Sequence, residues 1–317
     1  MKKLFFKIGL FLLCITTIKI FHMTSRCEDH GARNEKEDIP NISIQTDILQ
    51  KQILRRKSLY KYCKSKTLRA AVSSRYLIYS DNEKLLYCYI PKAASTTWKR
   101  LFLIFENITT FENVSMIDKN EVHKLYYKNL KDIKSNDERT FRENYFYSFL
   151  ITRHPFERLI ATFRNKFEDP YTSFFQKLYG SRILRKYRRN LPRDQIRAGV
   201  GVTFQEFIKY ILSTRFYDEH WNRMTDICSP CSYKFDYIAK METLVADSKA
   251  ILESTGLHKK YPFLENSTDR YEKKTSDLIE SYFSNISKSD VLKLYKIYKD
   301  DFEAFDYTIP KFLDANV

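Results

Sequence analysis

Glycine is scarce in the 317-residue sequence, with only six residues, and no internal repeat is present. The 23 tyrosines and 24 phenylalanines favour a packed globular body over a disordered chain. The length fits one catalytic domain of ordinary size with appendages. Acidic residues (39) are fewer than lysines and arginines (55), and the resulting net charge of +16 indicates acidic partners. No nucleic-acid-binding module is visible, so a polyanionic glycan together with a nucleotide explains the charge equally well.

The N-terminus has no apolar run that is both long and free of charge. Residues 4–23 are long enough to cross a bilayer, but they include two lysines, and the uncharged core at 8–18 is short. A cleaved signal peptide is therefore an alternative, although no small-x-small cleavage site follows. Because lysines precede the run, the positive-inside rule predicts a cytosolic tail at 1–7 and an uncleaved signal-anchor helix at 8–23.

The remainder of the chain is then expected in the lumen. A polar, charged composition predicts a stem over 24–69, with helical apolar spacing in its later part, and the lumenal domain is predicted over 70–317. N-glycosylation sequons fit this placement, although chance alone produces several. They lie at Asn41, Asn107, Asn113, Asn266 and Asn285.

A second CxxC motif is absent, so Cys228 and Cys231 lack the two further ligands that a zinc site needs. In an oxidising lumen, structural disulfides are the better interpretation. Cys14 falls in the membrane segment, which leaves an odd number of the six cysteines outside it. At least one cysteine is therefore free or pairs between chains.

A Walker loop is also missing, but residues 84–105 (KLLYCYIPKAASTTWKRLFLIF) have the pattern of strand, tight loop and helix. Leu85–Ile90 is of strand length, and Pro91 ends it because proline has no N–H for a sheet ladder. Apolar residues recur at helical spacing from Trp98 onward. A helix N-terminus with small residues, hydroxyls and Lys92 suits a phosphate. The alternative is an ordinary capped helix after a buried strand.

A second strand-like run, Tyr145–Thr152, leads directly to Arg153. Pro155 suits the first turn of a helix, and the residues after it have one apolar face. Two strands that each lead into a basic loop and a helix are what an open α/β sheet uses to bind a nucleotide. Arg153 is expected to contact a second phosphate through its guanidinium fork, or else to cap a helix or lie on the surface.

PKAASTTWKR at 91–100 resembles the 5′-phosphosulfate-binding motif of the Golgi carbohydrate sulfotransferases, and RHPFERLIATFRNKF at 153–167 resembles their 3′-phosphate-binding motif. Residues 218–244 and 294–310 are similar to the branch of chondroitin, dermatan and N-acetylgalactosamine 4-O-sulfotransferases and the glucuronyl 3-O-sulfotransferase. The resemblance runs in order from about residue 51 to the C-terminus. It implies an α/β, P-loop-like sulfotransferase fold, a parallel sheet flanked by helices, with an N-terminal transmembrane helix.

The resemblance also implies a function. A sulfuryl group would pass from 3′-phosphoadenosine-5′-phosphosulfate (PAPS) to the 4-hydroxyl of N-acetylgalactosamine in chondroitin or dermatan, an acidic glycan partner. The protein would be a single-pass type II protein of the Golgi membrane, with no metal because lysine and arginine supply the positive charge. A kinase is disfavoured, since the Walker residues and an Mg²⁺-binding acidic pair are missing. The non-enzymatic alternative is a lumenal glycan-binding protein descended from a sulfotransferase.

By the same resemblance, Lys92 holds the 5′-phosphosulfate and Arg153 the 3′-phosphate. The predicted donor-binding residues are Pro91, Lys92, Ala93, Ala94, Ser95, Thr96, Thr97, Arg153, His154, Pro155, Phe156, Glu157, Arg158, Leu159, Ile160 and Ala161. The family normally has a serine in place of Ala161, so one hydroxyl contact is missing. Its loss is worth about 1.5–3 kcal/mol of donor binding. Thr162 does not replace it, because it points about 100° away around the helix.

Sulfuryl transfer to a sugar needs a base for the hydroxyl proton, and histidine is the usual one near neutral pH. His123 lies between the two loops, where related sulfotransferases carry a base and the chondroitin 4-O branch carries a histidine. His220 is the rival candidate, and Glu219 is a third. The predicted catalytic residues are therefore His123, Lys92 and His220.

Residues 181–197 (SRILRKYRRNLPRDQIR) carry seven basic side chains. They form either a solvated helix face or a groove wall for an acidic chain, since arginine suits carboxylate and sulfate groups. Three amphipathic segments, 204–212, 241–257 and 290–305, are predicted as helices of the scaffold.

Overall fold

The computed structural model of the protein describes residues 40–66, 74–169, 173–214, 217–264 and 273–309. The predicted cytosolic tail and signal-anchor helix lie outside these residues, as do residues 24–39 and 67–69 of the predicted stem. Within the described ranges, no helix has both the length and the apolar content needed to cross a membrane. The chain divides into units at 1–43 and 44–317, and the fold described below is that of the second unit.

Short helices surround a small sheet. The α-helices are α1 (Pro40–Lys64), α2 (Ser95–Phe105), α3 (Lys119–Lys124), α4 (Asn136–Tyr145), α5 (Pro155–Phe163), α6 (Ser173–Phe175), α7 (Ser181–Tyr187), α8 (Arg193–Ala198), α9 (Phe204–Ser213), α10 (Met224–Cys228), α11 (Leu244–Ser254), α12 (Ile279–Phe283) and α13 (Lys288–Ala304). The strands are β1 (Leu77–Ser80), β2 (Leu85–Cys88), β3 (Tyr147–Thr152) and β4 (Tyr237–Lys240). Five-residue π-helical segments follow α5 at Arg164–Glu168 and precede α7 at Gln176–Gly180.

The sheet has the strand order β1-β2-β3-β4. β2, β3 and β4 run parallel, with Tyr87 paired to Phe149 and Phe149 to Tyr237. The predicted α/β architecture is therefore confirmed, but the expectation of a parallel sheet is wrong at one edge, where β1 is antiparallel to β2. The reason is the short connection at 81–84, in which Lys84 has a φ of 55°. A turn this short joins only antiparallel neighbours, whereas parallel strands need a crossover of a dozen residues or more.

Two apolar clusters stabilise the fold. The first lies on the sheet, where the Trp98 ring of α2 is 4.4 Å from the Phe149 ring of β3 and the Tyr87 ring stacks on Phe149 at 4.7 Å. The second contains apolar side chains of α5, α7, α9 and α13 around the buried Trp221. Because α5 starts just after β3 and packs into the second cluster, its first turn is held at the carboxyl end of the sheet.

Helix α1 lies in the range predicted as a stem, yet its side chains are bonded to the body of the domain. Arg55 and Gln52 are buried and both donate to the carbonyl oxygen of Ile238 in β4, at 2.9 and 2.6 Å. Arg55 also forms a buried ion pair with Asp247 of α11 at 2.8 Å. The compact unit accordingly begins at Ile44, well before the predicted domain boundary at residue 70.

The CxxC cysteines form two separate disulfides, as expected for a structural role. Cys63 of α1 pairs with Cys231, and Cys88 of β2 pairs with Cys228 of α10. Both bridges close loops of more than a hundred residues, which in the chain-entropy model makes each worth about 4–5 kcal/mol. They hold the segment after His220 against α1 and the sheet.

Candidate donor-binding and catalytic site

The loop between β2 and α2 contains two non-glycine residues in the left-handed region, Lys92 at φ 71° and Ala94 at φ 55°. Ala94 stands at the N-cap of α2 without a side-chain cap bond. Left-handed alanine and lysine are uncommon, and such strain is a reason to look for function at the position. The first amide groups of α2 and the hydroxyls of Ser95 to Thr97 lie along this strained loop.

Lys92 is the cation at the centre of the site. Its ammonium donates to the Asn165 amide oxygen, and its carbonyl oxygen accepts from Arg153 Nη1 at 2.9 Å. Burial, together with the positive charges of Lys166 and Arg153, holds the pKa of Lys92 well below its ordinary value. No carboxylate forms an ion pair with Lys92 within the described part of the chain. The site therefore concentrates positive charge, and a bound anion would reduce the repulsion between these cations.

Arg153 follows β3 directly, as predicted, and its Nη2 atom donates to the Thr275 hydroxyl at 2.6 Å. Thr275 in turn donates to the Glu157 carboxylate at 2.8 Å. Ala161 is four residues after Glu157 and therefore on the same side of α5. Thr162 donates to the His220 carbonyl oxygen at 2.8 Å, so its hydroxyl is turned away from this side of the helix.

Other residues of the predicted 3′-phosphate motif belong to the scaffold. Phe156, Leu159 and Ile160 are fully buried in the second apolar cluster, because helical periodicity points them away from the loop. Pro155 occupies the first turn of α5. The backbone N–H of His154 donates to the Glu242 carboxylate, and its ring bonds the Thr308 carbonyl oxygen. The side chains of these residues do not face the Lys92 loop.

Arg158 connects two segments of the site through buried hydrogen bonds. It is 1% exposed, and its guanidinium donates to the carbonyl oxygens of Pro91, Asn222 and Glu219 at 2.9, 2.6 and 2.7 Å. One side chain of α5 thus fixes both the start of the Lys92 loop and the segment that carries His220. The guanidinium of Arg158 is thus bonded to three backbone carbonyl oxygens, and its role in donor binding stays a prediction.

The π-helical segment after α5 supplies two residues that the sequence interpretation did not include, Asn165 and Lys166. Asn165 holds the Lys92 ammonium, and the Lys166 ammonium lies 4.1 Å from the centroid of the Phe175 ring. Burial lowers the pKa of Lys166, while Asp218 and Glu219 raise it. Both residues lie at the end of the stretch that resembles the 3′-phosphate motif, in RNKF, but the direction of their side chains depends on the π-helical turn.

The two predicted histidines both lie near Lys92. Nε2 of His123 is 3.0 Å from the Thr96 hydroxyl, and its Nδ1 is 3.5 Å from the Lys99 ammonium. Nδ1 of His220 is 2.6 Å from the Asp218 carboxylate. The pKa of each histidine is lowered, first by burial and then by neighbouring cations that include Lys92. The lowered pKa favours the neutral form of both imidazoles, and more strongly for His220, whose side chain is 16% exposed, than for His123, which stands at an exposed position.

Lys99 and Glu219 complete the surroundings of the histidines. Lys99 is 6% exposed, with its ammonium 4.0 Å from the Tyr89 ring centroid, and burial lowers its pKa to about 8. The Glu219 carboxylate lies 3.8 Å from Arg75. Across the described ranges, no group of three or more potential ligand residues is arranged to hold a metal ion.

Comparison with known proteins identifies the family. The model of the sulfotransferase family matches residues 75–308. The chain belongs to the sulfotransferase family. Among curated sulfotransferases, carbohydrate sulfotransferase 11 of Mus musculus is 34% identical over 248 residues, covering 75% of the chain and 69% of that protein. Carbohydrate sulfotransferase 10 of Danio rerio is 32% identical over 263 residues, covering 78% and 70%.

Carbohydrate sulfotransferase 9 of Homo sapiens is 33% identical over 238 residues, which are 73% of the chain and 52% of that protein. No solved structure matches the chain at a significant level. These matches confirm the predicted family, the carbohydrate sulfotransferases, and membership implies PAPS as the sulfuryl donor. The matched range includes both loops at the strand ends and the segment that carries His220.

Proposed function

We propose that the protein transfers the sulfuryl group of PAPS to the 4-hydroxyl of N-acetylgalactosamine in chondroitin or dermatan. The observation that carries this proposal is the cationic centre, in which Lys92 and Arg153 follow the adjacent parallel strands β2 and β3, with Lys166 of the π-helical segment and two histidines beside them. An anionic nucleotide fits such a centre, because each phosphate offsets the repulsion between the cations. Membership of the sulfotransferase family implies that this nucleotide is PAPS.

Within this proposal, Lys92 binds the 5′-phosphosulfate and stabilises the charge that develops on the leaving phosphate. The backbone amides and hydroxyls of residues 93–97 complete the cradle, and Arg153 binds the 3′-phosphate. Sulfuryl transfer, like phosphoryl transfer, gains mainly from positioning and electrostatics, which a strained, cation-rich loop provides. A metal ion has no role in these steps as proposed, since side-chain cations supply the charge.

The acceptor is proposed to bind along a basic face formed by α7, α8 and their connection. Its exposed residues are Arg182, Arg185, Lys186, Arg189, Arg193 and Arg197. An open cleft of about 580 Å³ on this face is lined by residues 186–191. The face begins beside the site, because the Arg182 guanidinium is 5.6 Å from the Tyr179 ring centroid and Tyr179 bonds Asp218.

The cellular setting is also a proposal: a type II protein of the Golgi membrane, anchored at 8–23, with the domain in the lumen. Two observations agree with it. The disulfides suit an oxidising compartment. The sequon asparagines Asn107, Asn113 and Asn285 are exposed, whereas Asn266 and the side chain of Asn41 lie outside the described residues.

The proposal is tested with the full-length chain in detergent, so that α1 and its bonds are retained. We expect 3′-phosphoadenosine-5′-phosphate (PAP) to bind in calorimetry and PAP to be released when PAPS is mixed with desulfated chondroitin. If the protein binds PAP but releases no PAP from PAPS with any glycan tested, the glycan-binding alternative is favoured. A folded protein that shows no PAP binding and no PAP release would contradict the proposal.

Ala161→Ser restores the hydroxyl that the family motif normally provides. Because Ala161 is on the side of α5 that carries Glu157 and faces the Arg153–Thr275 pair, we expect the serine to reach the bound 3′-phosphate. One hydrogen bond to a charged group is worth about 1.5–3 kcal/mol, so PAP should bind roughly 10- to 150-fold more tightly. Calorimetry measures the change, and Thr162→Ser, on the other side of the helix, is the matched control. An unchanged affinity would show that the missing serine has no bearing on this donor site.

The double variant Arg185→Glu with Arg189→Glu reverses two charges of the basic face. We expect the KM for polymeric chondroitin to rise about tenfold at low salt and the difference to shrink at high salt, since exposed charges are screened. PAP affinity should not change. Lys57→Glu with Lys61→Glu on α1 is the control of equal charge. An equal rise of KM in the control would assign the effect to net charge and not to this face.

A further inference from the structure

The two histidines beside Lys92 differ in how their ring nitrogens are held. Nδ1 of His220 is 2.6 Å from Oδ1 of Asp218. A carboxylate only accepts hydrogen bonds, so the proton of neutral His220 is on Nδ1 and the lone pair is on Nε2. Among the residues that the structure describes, no hydrogen bond engages this Nε2 atom. His220 thus presents an unused acceptor to the site.

His123 has the opposite arrangement. Its Nδ1 is 3.5 Å from the Lys99 ammonium, and an ammonium group only donates. The ring proton is therefore on Nε2, which donates to the Thr96 hydroxyl at 3.0 Å. Both nitrogens of His123 are engaged within the protein. To accept a substrate proton, His123 would first have to displace Lys99.

We propose that His220 is the base that removes the proton of the acceptor hydroxyl, and that Asp218 and Tyr179 are its positioning residues. This inference rests on the proposed function. In the step, the acceptor O–H gives its proton to Nε2 of His220 while the acceptor oxygen bonds to sulfur. The bond between sulfur and the bridging oxygen of the 5′-phosphate breaks, and its electron pair leaves on that oxygen. The imidazolium then releases the proton to water.

The surroundings of His220 restrict its movement from several elements. The Tyr179 hydroxyl donates to Oδ2 of Asp218 at 3.1 Å, and the backbone N–H of His220 donates to Oδ1 at 3.0 Å. The His220 carbonyl oxygen is held by Thr162 of α5. The ring of Phe175 lies edge-on to the imidazole at 5.0 Å. A base held in this way keeps its lone pair in one direction, which is what positioned proton transfer requires.

The charged or titratable groups near His220 are Asp218, Lys166, Lys92 and His123. Burial has the largest effect and, with Lys166 and Lys92, lowers the pKa of His220 to about 3, against the opposing effect of Asp218. The imidazole is consequently unprotonated through the neutral range and ready to accept a proton. Once proton transfer begins, the nearby Asp218 carboxylate stabilises the imidazolium.

The first test compares His220→Gln with His123→Gln in the full-length protein. We expect His220→Gln to lower kcat by about 10²- to 10⁴-fold, the usual contribution of a positioned base, with PAP affinity nearly unchanged. His123→Gln loses a donor to Thr96, so its kcat should fall less. A larger loss in His123→Gln, or substantial turnover in His220→Gln, overturns the assignment.

The second test examines the positioning residues. Asp218→Asn should lower kcat by about 10- to 1000-fold with KM unchanged, because the imidazolium loses its counter-charge. Tyr179→Phe should lower kcat less, and Tyr233→Phe is its control, since that hydroxyl bonds Glu143 at 3.0 Å elsewhere. Nitrogen-15 NMR of the imidazoles should show the proton on Nδ1 in His220 and on Nε2 in His123. The reverse tautomers would overturn the proposal without reference to activity.

The two hypotheses fail in different ways. If the wild-type protein releases PAP on a glycan acceptor and His220→Gln does so equally well, only the base assignment is overturned. If the wild-type protein binds PAP and shows the expected tautomers but transfers no sulfuryl group, the proposed function is overturned, and the base assignment with it.

Discussion

Lys92→Met should abolish most sulfuryl transfer and make the unliganded protein more stable. Methionine keeps the length and the methylene packing of the side chain but removes a charge that is buried beside Lys166 and Arg153. Loss of a preorganised cation at a developing charge typically lowers kcat by about 10²- to 10³-fold. Relief of cation repulsion should raise the free energy of unfolding by about 1 kcal/mol, a trade-off common at functional sites. Activity assays and chemical denaturation measure the two effects.

The pH dependence of stability provides an independent check on Lys92. Its pKa is lower in the folded protein than in the unfolded chain, so between those two values the unfolded chain binds more protons. Stability due to this group therefore rises as the pH increases through that window, and the rise should be smaller in Lys92→Met. Lys260→Met, which removes a lysine paired with Glu83 at 2.7 Å, is the control. Retention of full activity by Lys92→Met would contradict the proposed donor site.

The loops of the site could be predicted from sequence because their signals are local. Pro91 ends a strand, small residues follow it, and the apolar spacing of α2 and α5 begins within a few residues. The predicted helices at 204–212, 241–257 and 290–305 also correspond to observed helices, at Phe204–Ser213, Leu244–Ser254 and Lys288–Ala304. In each case the periodic apolar face packs on the core, so the pattern and the structure report the same constraint.

The remaining features depend on residues that are far apart in sequence. The Arg55–Asp247 ion pair spans 192 residues, and nothing near either residue predicts the other. For this reason a polar composition indicated a stem where the structure has a packed helix. The disulfide partners of the CxxC cysteines were undetermined on the same grounds.

The choice between the two histidines as the base also depends on residues that are distant in sequence. Sequence position favoured His123, because it lies between the two binding loops. The difference between His123 and His220 is in their partners, Lys99 for one and Asp218 for the other. The Asp218–His220 spacing is visible in the sequence, but the role of that pair depends on Tyr179 and Thr162, which only the fold brings to it.

Arg158→Met should be among the most destabilising single substitutions in the chain. The change leaves the carbonyl oxygens of Pro91, Asn222 and Glu219 buried without their charged donor. Each such bond is worth about 1.5–3 kcal/mol, and removal of the buried charge itself offsets part of the loss, so we expect a decrease of about 3–5 kcal/mol in the free energy of unfolding. Urea denaturation measures it.

Because Arg158 fixes both the Lys92 loop and the segment of His220, its replacement should also weaken PAP binding in the fraction that stays folded. Arg158→Lys keeps the charge but cannot reach three carbonyl oxygens with one ammonium, so it should rescue stability only in part and PAP affinity less. Arg193→Met, at an exposed position of α8, controls for loss of an arginine. A destabilised Arg158→Met protein that still binds PAP with wild-type affinity would mean that the loop is positioned by its own backbone. The three carbonyl bonds would then contribute to folding and not to the site.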